Sequence, residues 1–457
     1  MPPRPLHAVL LPEIPLALLA AALDGSGPAL LPLDPGLPPA RLAELLGAFA
    51  PSAIVTQDGV ESLPAGDRQG LAEDVAVVLG TSGSTGVPKG AEITASALLA
   101  SARASLGRIG GDGGGRWLCC LPTHHISGLG VLVRSLVTGT EPLVVDRVDA
   151  SVIAGCDCDY VSLVPTQLGR LLAAGAPLDR FLAILLGGAA IPGELLAAAA
   201  AAGARVVTTY GMTETCGGCV YDGVPLDGVE VGNDQDGRIR IRGPVLFSRY
   251  RLAPALTRDC LRDGWFTTSD LGGLGADGRL SLRGRADDVI NTGGEKVVPA
   301  EVEAVLRRCE GVADVAVVGV PDPDWGEQVV AIVVPAVIAS DGSVAAPNLG
   351  VTQAPRTTPA RRTTRGPGPG AVVNPGPGAA ENPGPGVVVN AGPGAPSPPG
   401  APPPAGAPTL ERLSAAVRAT LPRYAAPRRV VYIDQLPMLA SGKPDRLRLR
   451  DIASSEA

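Results

Sequence analysis

Between residues 74 and 209, short apolar runs alternate with alanine- and leucine-rich stretches of helical length. This alternation predicts strands at residues 74–79, 117–121, 142–145, 160–164, 182–186 and 205–209. It predicts helices at 93–106, 128–137, 167–174 and 193–202. A strand reaches a parallel neighbour only through a crossover of about a dozen residues, and these helices supply it. The pattern restricts this part of the chain to an α/β fold with largely parallel sheets.

The spacing changes further on. From residue 237 to 283 the strands become short and period-two, with turns at Asp236-Gly237, Asp263-Gly264 and Asp277-Gly278, which predicts an antiparallel subdomain. Residues 341–408 differ in kind. They are rich in Pro, Gly, Ala and Thr and repeat Gly-Pro-Gly every eight residues, at 368–370, 376–378, 384–386 and 392–394. Such a segment cannot bury enough apolar surface to offset its ordering entropy, so a disordered or polyproline-like insertion is expected. Its flanks read as one small α/β unit split in two, with strands at 312–320 and 329–334 and helices at 301–308 and 410–420. The Pro-rich end, 398–408, could serve as a binding segment or as a plain spacer.

Composition narrows the function classes. The 457 residues carry a net charge of −7 and no lysine-rich block, which argues against nucleic acid or an anionic membrane as partner. The apolar stretch 14–23 follows Glu13 where a secretory leader would carry a cation, and Pro192, Glu194 and glycines interrupt the apolar stretch 181–204. Neither a leader nor membrane insertion is expected. The eight cysteines are scattered, and the Cys216/Cys219 pair lacks a second CxxC to complete a zinc site; packing thiols in a reducing cytoplasm are expected.

The chemistry is concentrated in a few segments. Thr81-Ser82-Gly83-Ser84-Thr85-Gly86-Val87-Pro88-Lys89-Gly90 follows a buried strand and is read as preceding a helix. Its glycines let backbone approach an anion, and its hydroxyls and Lys89 offer donors to phosphate oxygens. Val87-Pro88 separates Gly86 from Lys89, so it is not a Walker loop. These ten residues resemble the phosphate loop of the adenylate-forming superfamily of acyl-CoA synthetases, luciferases and peptide-synthetase adenylation domains. Four further segments match that family in order: Tyr210-Gly211-Met212-Thr213-Glu214, Gly264 to Asp270, Gly284 to Val297, and Ala440-Ser441-Gly442-Lys443.

The resemblance implies roles. Thr81, Ser82, Gly83, Ser84, Thr85, Gly86 and Lys89 would hold ATP phosphates, and Tyr210 would pack on the adenine. Thr213 would contact the AMP phosphate, and Glu214 would help hold Mg2+, a hard cation suited to oxygen ligands. Asp270 would accept both ribose hydroxyls, with Arg285 beside it, since one carboxylate accepts several hydrogen bonds. Asp287 would be the hinge, Lys443 the catalytic lysine, and Gly293 and Gly294 would line the CoA passage. The implied fold is an N-terminal AMP-binding domain of stacked sheets and helices over residues 1–284, including the antiparallel subdomain. A small, mobile α+β lid domain over 285–457 would follow, interrupted by the insertion. ATP and CoA are the implied co-substrates.

Two features narrow the resemblance. Only 80 residues precede the phosphate loop, and the segments 121–136, 161–168 and 214–223 are similar to the o-succinylbenzoate–CoA ligases of menaquinone synthesis in their short bacterial form. By that resemblance His125, Gly187 and Gly188 border the acyl pocket. The stretch 121–133 has no acidic residue to bind an amino-acid ammonium, which disfavours amino-acid activation. A dicarboxylic acid would need a cation or hydroxyls for its second carboxylate. Arg134 lies nine residues after His125, on the opposite face of an ideal helix, and is not assigned to the pocket. The leading expectation is an acid–CoA ligase acting on a small carboxylate, with self-association left open. A ligase for another aryl or short-chain acid, or an inactive scaffold presenting the Pro-rich repeat, are the competing readings.

Overall fold

A computed structural model of the chain describes residues 4–64, 70–81, 88–110, 114–336, 404, 406–438 and 444–455. Two seven-stranded sheets carry most of it. The first runs Arg249–Tyr250, Lys89–Thr94, Val75–Thr81, Ala29–Pro32, Leu6–Val9, Ala53–Thr56, Gly59–Ser62, parallel at its centre and antiparallel at both edges. The second runs Val224–Pro225, Gly217–Tyr221, Val206–Met212, Ala183–Leu186, Tyr160–Leu163, Trp117–Cys119, Leu143–Val144, parallel except at its first two strands.

Two helices lie between these sheets, Ala95–Ile109 and Ile126–Thr138. Both are apolar on more than one side, as a helix between two sheets must be. Leu98, Ala102, Leu129 and Leu132 pack towards the first sheet, with Val77, Leu79 and Ile93. Leu106, Ile109 and Val131 pack towards the second, with Tyr160, Leu185 and Val207. Thr94 caps the first helix, accepting from the Ala97 amide at 3.1 Å, and Gly110 ends it at φ 73°. The outer faces are covered by Pro39–Phe49 on one sheet and by Pro165–Ala173 and Gly193–Ala201 on the other. The apolar stretch near the start is a core helix, Leu16–Asp24, with Leu19 and Ala22 fully buried.

The expected helix at 93–106 is corrected at its start. Residues Lys89–Thr94 form a strand, and the helix begins at Ala95. The phosphate-loop segment therefore joins two antiparallel strands, with Thr81 opposite Lys89, rather than opening a helix. The strand wins because Gly90 to Thr94 pair with Val75–Thr81 on one side and with Arg249–Tyr250 on the other.

The antiparallel subdomain is a third sheet of Glu230–Asn233, Arg238–Arg242, Trp265–Leu274, Leu261–Arg262 and Leu280–Arg285. Its turn glycines Gly237, Gly264 and Gly278 all have φ between 72° and 77°, the left-handed region that glycine enters without strain. After Arg285 the chain enters a fourth sheet, built on the long hairpin Val312–Asp322 and Gly326–Pro335. Helices Pro299–Leu306 and Leu410–Thr420 cover one face and Arg446–Ser455 the other.

Strand Arg429–Tyr432 pairs in parallel with Gly326–Pro335. Elements on both sides of the Pro/Gly repeat thus share one core, with Val333, Leu413 and Val417 in a single cluster. The repeat lies outside the described residues up to 403. Its expected C-terminal margin is corrected, because Gly406, Ala407 and Pro408 are placed, and the Pro408 carbonyl accepts from the Tyr432 hydroxyl at 2.7 Å. The chain leaves and re-enters at one point. Ala336 donates to the Gly311 carbonyl at 2.9 Å, and a Cβ on Gly311 would lie 2.6 Å from the Gly406 carbonyl oxygen.

Candidate active site

Strand Val206–Met212 ends in a tight turn, Thr213–Thr215, and returns as Gly217–Tyr221. Thr215 makes the turn. Its hydroxyl accepts from the Met212 amide at 2.9 Å and donates to the Gly217 carbonyl at 2.7 Å. Gly211 is required here, since a Cβ would sit 1.9 Å from the Gly217 oxygen. The turn presents Thr213, half-buried, and Glu214, 8% exposed. The Tyr250 hydroxyl donates to Glu214 Oε1 at 2.6 Å. Burial and that carboxylate push the Tyr250 phenol up, so it stays a donor.

From the same strand the Tyr210 hydroxyl donates to Asp270 Oδ2 at 2.8 Å. Burial and Asp270 likewise push its phenol up. Arg285 donates to Asp270 Oδ1 at 3.2 Å and to Asp287 Oδ2 at 3.0 Å. Against partial desolvation, these carboxylates hold the guanidinium above its ordinary value. Four residues from three expected motifs, Tyr210, Asp270, Arg285 and Asp287, thus form one hydrogen-bonded chain. Among the described residues each Asp270 oxygen carries one side-chain donor, and a carboxylate oxygen so engaged keeps a lone pair that can accept from a diol.

Thr81 and Lys89 face each other at the mouth of their hairpin. Burial, then Glu214, pushes the Cys260 thiol up to about 11, while Lys89 draws it down, so carboxylate and ammonium both lie within electrostatic reach of that thiol. Ser82, Gly83, Ser84, Thr85, Gly86 and Lys443 lie outside the described residues.

His125 sits at the N-terminus of helix Ile126–Thr138, exposed, with the His124 ring 4.6 Å away. Gly128 lets the chain turn there, because a Cβ would meet the Pro122 and Leu121 carbonyls at 2.3 and 2.5 Å. Gly187 and Gly188 follow strand Ala183–Leu186. A Cβ on Gly187 would lie 2.2 Å from Thr209 Oγ1, so strand packing alone accounts for that glycine. The passage glycines also separate. A Cβ on Gly293 would strike the Trp325 ring at 2.5 Å, whereas one on Gly294 would meet open space.

Two residues were missed by sequence reasoning. Tyr250 lies in no recognised segment. Arg134 was left out of the pocket, yet it is buried: it is 9% exposed, its Nη2 donates to Ser162 Oγ at 3.1 Å, and it lies over the Trp117 ring at 4.2 Å. No carboxylate pairs with it among the described residues. Its Nε and the neighbouring Trp117 Nε1 and Ser135 Oγ are buried without partners there. The available signal was a lone charge in the apolar stretch 129–137. All eight cysteines are free thiols; burial pushes Cys219 up to about 12.

Comparison with known proteins places this geometry. Residues 64–251 match the family model described as AMP-binding enzyme, and 301–348 the AMP-binding enzyme C-terminal domain. A Mycobacterium tuberculosis protein named "Probable 2-succinylbenzoate--CoA ligase" is 44% identical over 342 residues, covering 69% of this chain and 87% of that protein. The 2-succinylbenzoate–CoA ligase of Escherichia coli is 35% identical over 340 residues, 70% of this chain and 74% of its own. The structure of Escherichia coli MenE with a bound phenylether-linked analogue of OSB-AMS superposes with a TM-score of 0.68 at 26% identity, covering 99% of this chain and 89% of that one. The chain belongs to the AMP-binding enzyme family of adenylate-forming acyl-CoA synthetases, within its 2-succinylbenzoate–CoA ligase branch.

Proposed function

We propose that this chain converts 2-succinylbenzoate, ATP and CoA to 2-succinylbenzoyl-CoA, AMP and pyrophosphate, a step of menaquinone synthesis in the cytoplasm. The observation that carries the substrate is Arg134. A buried guanidinium remains charged, and leaving it without an anion is costly. An acid with a second carboxylate supplies that anion, and Ser162 beside it supplies a hydroxyl. Benzoate and other monocarboxylic acids leave Arg134 unmatched.

In the first half-reaction a substrate carboxylate oxygen attacks the α-phosphorus and pyrophosphate departs. Asp270 and Arg285 hold the ribose, Tyr210 flanks the base, and Thr213 and Lys443 meet the phosphate on which charge develops. Magnesium fits Glu214. The turn offers one carboxylate with one oxygen held by Tyr250, and no group of three potential protein ligands exists among the described residues. A cation that keeps waters and takes phosphate oxygens needs no more than that from the protein. When bound, it neutralises charge on the phosphates. In the second half-reaction the CoA sulfur attacks the acyl carbon and AMP leaves. Asp287 acts as the pivot for the C-terminal unit, and Gly294, with open space beside it, lines the thiol's approach.

The test is ATP- and CoA-dependent thioester formation with 2-succinylbenzoate beside benzoate and succinate. Discrimination of up to ~10⁴ against benzoate is expected, because a site built for a polar group rejects an analogue lacking it. Equal turnover of benzoate overturns the substrate and leaves the ligase class standing.

A further inference from the structure

We propose that Tyr250 is a positioning residue for nucleotide activation, its hydroxyl holding the Glu214 carboxylate by Oε1 so that the other oxygen faces the magnesium–ATP complex. The inference rests on the reading of Glu214 as a ligand in that complex.

The contact is short, 2.6 Å, and buried, with Tyr250 7% and Glu214 8% exposed. A hydroxyl donating to a carboxylate at this length is a charge-assisted bond, stronger than a neutral one. The ring itself is held by packing, 4.8 Å from Phe247, which in turn meets Phe266 edge-on at 5.3 Å. Packing therefore accounts for the ring but not for the hydroxyl, whose one partner in these contacts is Glu214.

What aims that hydroxyl is a strand of only two residues, Arg249–Tyr250, which could not hold its place alone. Glu92, 1% exposed, fastens it from both sides. Its two oxygens meet Arg249 Nε at 2.7 Å and Arg251 Nη1 at 3.3 Å, and its backbone carbonyl accepts from the Ser248 amide at 2.8 Å. The Tyr250 amide donates to Thr257 Oγ1 at 3.0 Å. Phe247 closes the loop from the other side, donating its amide to the Glu214 carbonyl at 2.9 Å. Glu92 lies on the strand that starts at Lys89. The strand leaving the phosphate loop, the Tyr250 strand and the Glu214 turn are thus one fastened unit, and Tyr250 is its link to the carboxylate.

The test is Tyr250→Phe, which keeps the ring and removes the hydroxyl. ATP affinity is measured by titration calorimetry with excess Mg2+ and again with EDTA, alongside Glu214→Gln. Loss of a residue that orients a metal ligand costs about 10–100-fold in metal affinity or activity. Tyr250→Phe is expected to weaken ATP binding about tenfold or more with Mg2+, to leave binding in EDTA unchanged, and to convert chemically supplied acyl-adenylate and CoA to thioester at the parent rate. Equal weakening with and without Mg2+ would show a packing role and overturn the inference. If Glu214→Gln loses the magnesium-dependent gain while Tyr250→Phe keeps it, Glu214 stands as ligand and the inference alone falls. If Glu214→Gln keeps the gain in full, the reading of Glu214 fails and takes the inference with it.

Discussion

Two sets of arginine–carboxylate pairs that join different segments of this molecule differ in their settings. Glu92 and Arg251 are buried, and they join segments about 160 residues apart in the first sheet. At the junction between the third and fourth sheets, Arg283 meets Glu301 at 2.7 Å and Arg285 bridges Asp270 and Asp287, with Arg283, Arg285 and Asp287 exposed. The same chemistry has opposite consequences. Breaking the buried pair removes a charge contact that water cannot readily replace, so its geometry is held. Water readily replaces either partner of an exposed pair, so that arrangement can be exchanged at little cost. If the second unit turns against the phosphate side, as we propose, the site needs both kinds.

The strongest way to break this comparison is Glu92→Gln. It removes the carboxylate charge from a pair whose two side chains are both buried, and a loss of about 3–5 kcal/mol in unfolding free energy is expected in denaturant titration. Glu301→Ala, at the junction, should cost less than about 1 kcal/mol. Similar losses for the two would mean that burial does not separate them.

Function sharpens the contrast at somewhat smaller magnitude. If the C-terminal unit alternates about Asp287, the two half-reactions should fail independently. Lys443→Ala should slow acyl-adenylate formation by about 10²–10³ while still converting supplied acyl-adenylate and CoA to thioester. Gly294→Leu should do the reverse, since its side chain would enter the open space beside a backbone at φ 83°. A folded pair of variants that both lose both half-reactions equally would rule out alternation in this chain.

The smallest effect belongs to the Pro/Gly repeat. Because the chain leaves and re-enters beside Gly311, a short Gly/Ser linker can replace residues 341–403. Closure entropy changes by only about 0.6 kcal/mol per halving of length, so melting temperature should hold or rise slightly and turnover should not change. A large loss of folded protein would show that the repeat packs on the core.

Much of this was legible before any coordinates. The strand–helix alternation, the antiparallel subdomain and the split C-terminal unit follow from period and turn chemistry, which act over a few residues. Tyr210, Asp270, Arg285 and Asp287 were singled out from motifs and prove to be bonded to one another. The strand at Lys89–Thr94 was misread because Gly90 to Thr94 carry no strand signal of their own; two neighbouring strands impose it.

Tyr250 and Arg134 mark where local reading stops. Tyr250 is 36 residues from Glu214 in sequence and reaches it only because Glu92 seats its strand. Arg134 was set aside on helical periodicity, which says which way a side chain points, not what stands there. In the fold Arg134 meets Trp117 and Ser162 from two other strands, and its charge is buried. The sequence by itself determined the element types, the order of the motifs and the chemistry each could offer, because those depend on neighbours along the chain. Only the tertiary structure decided which charges are buried, which carboxylates are held and which side chains share a site, because burial and orientation are set by strands that are remote in sequence and adjacent in space.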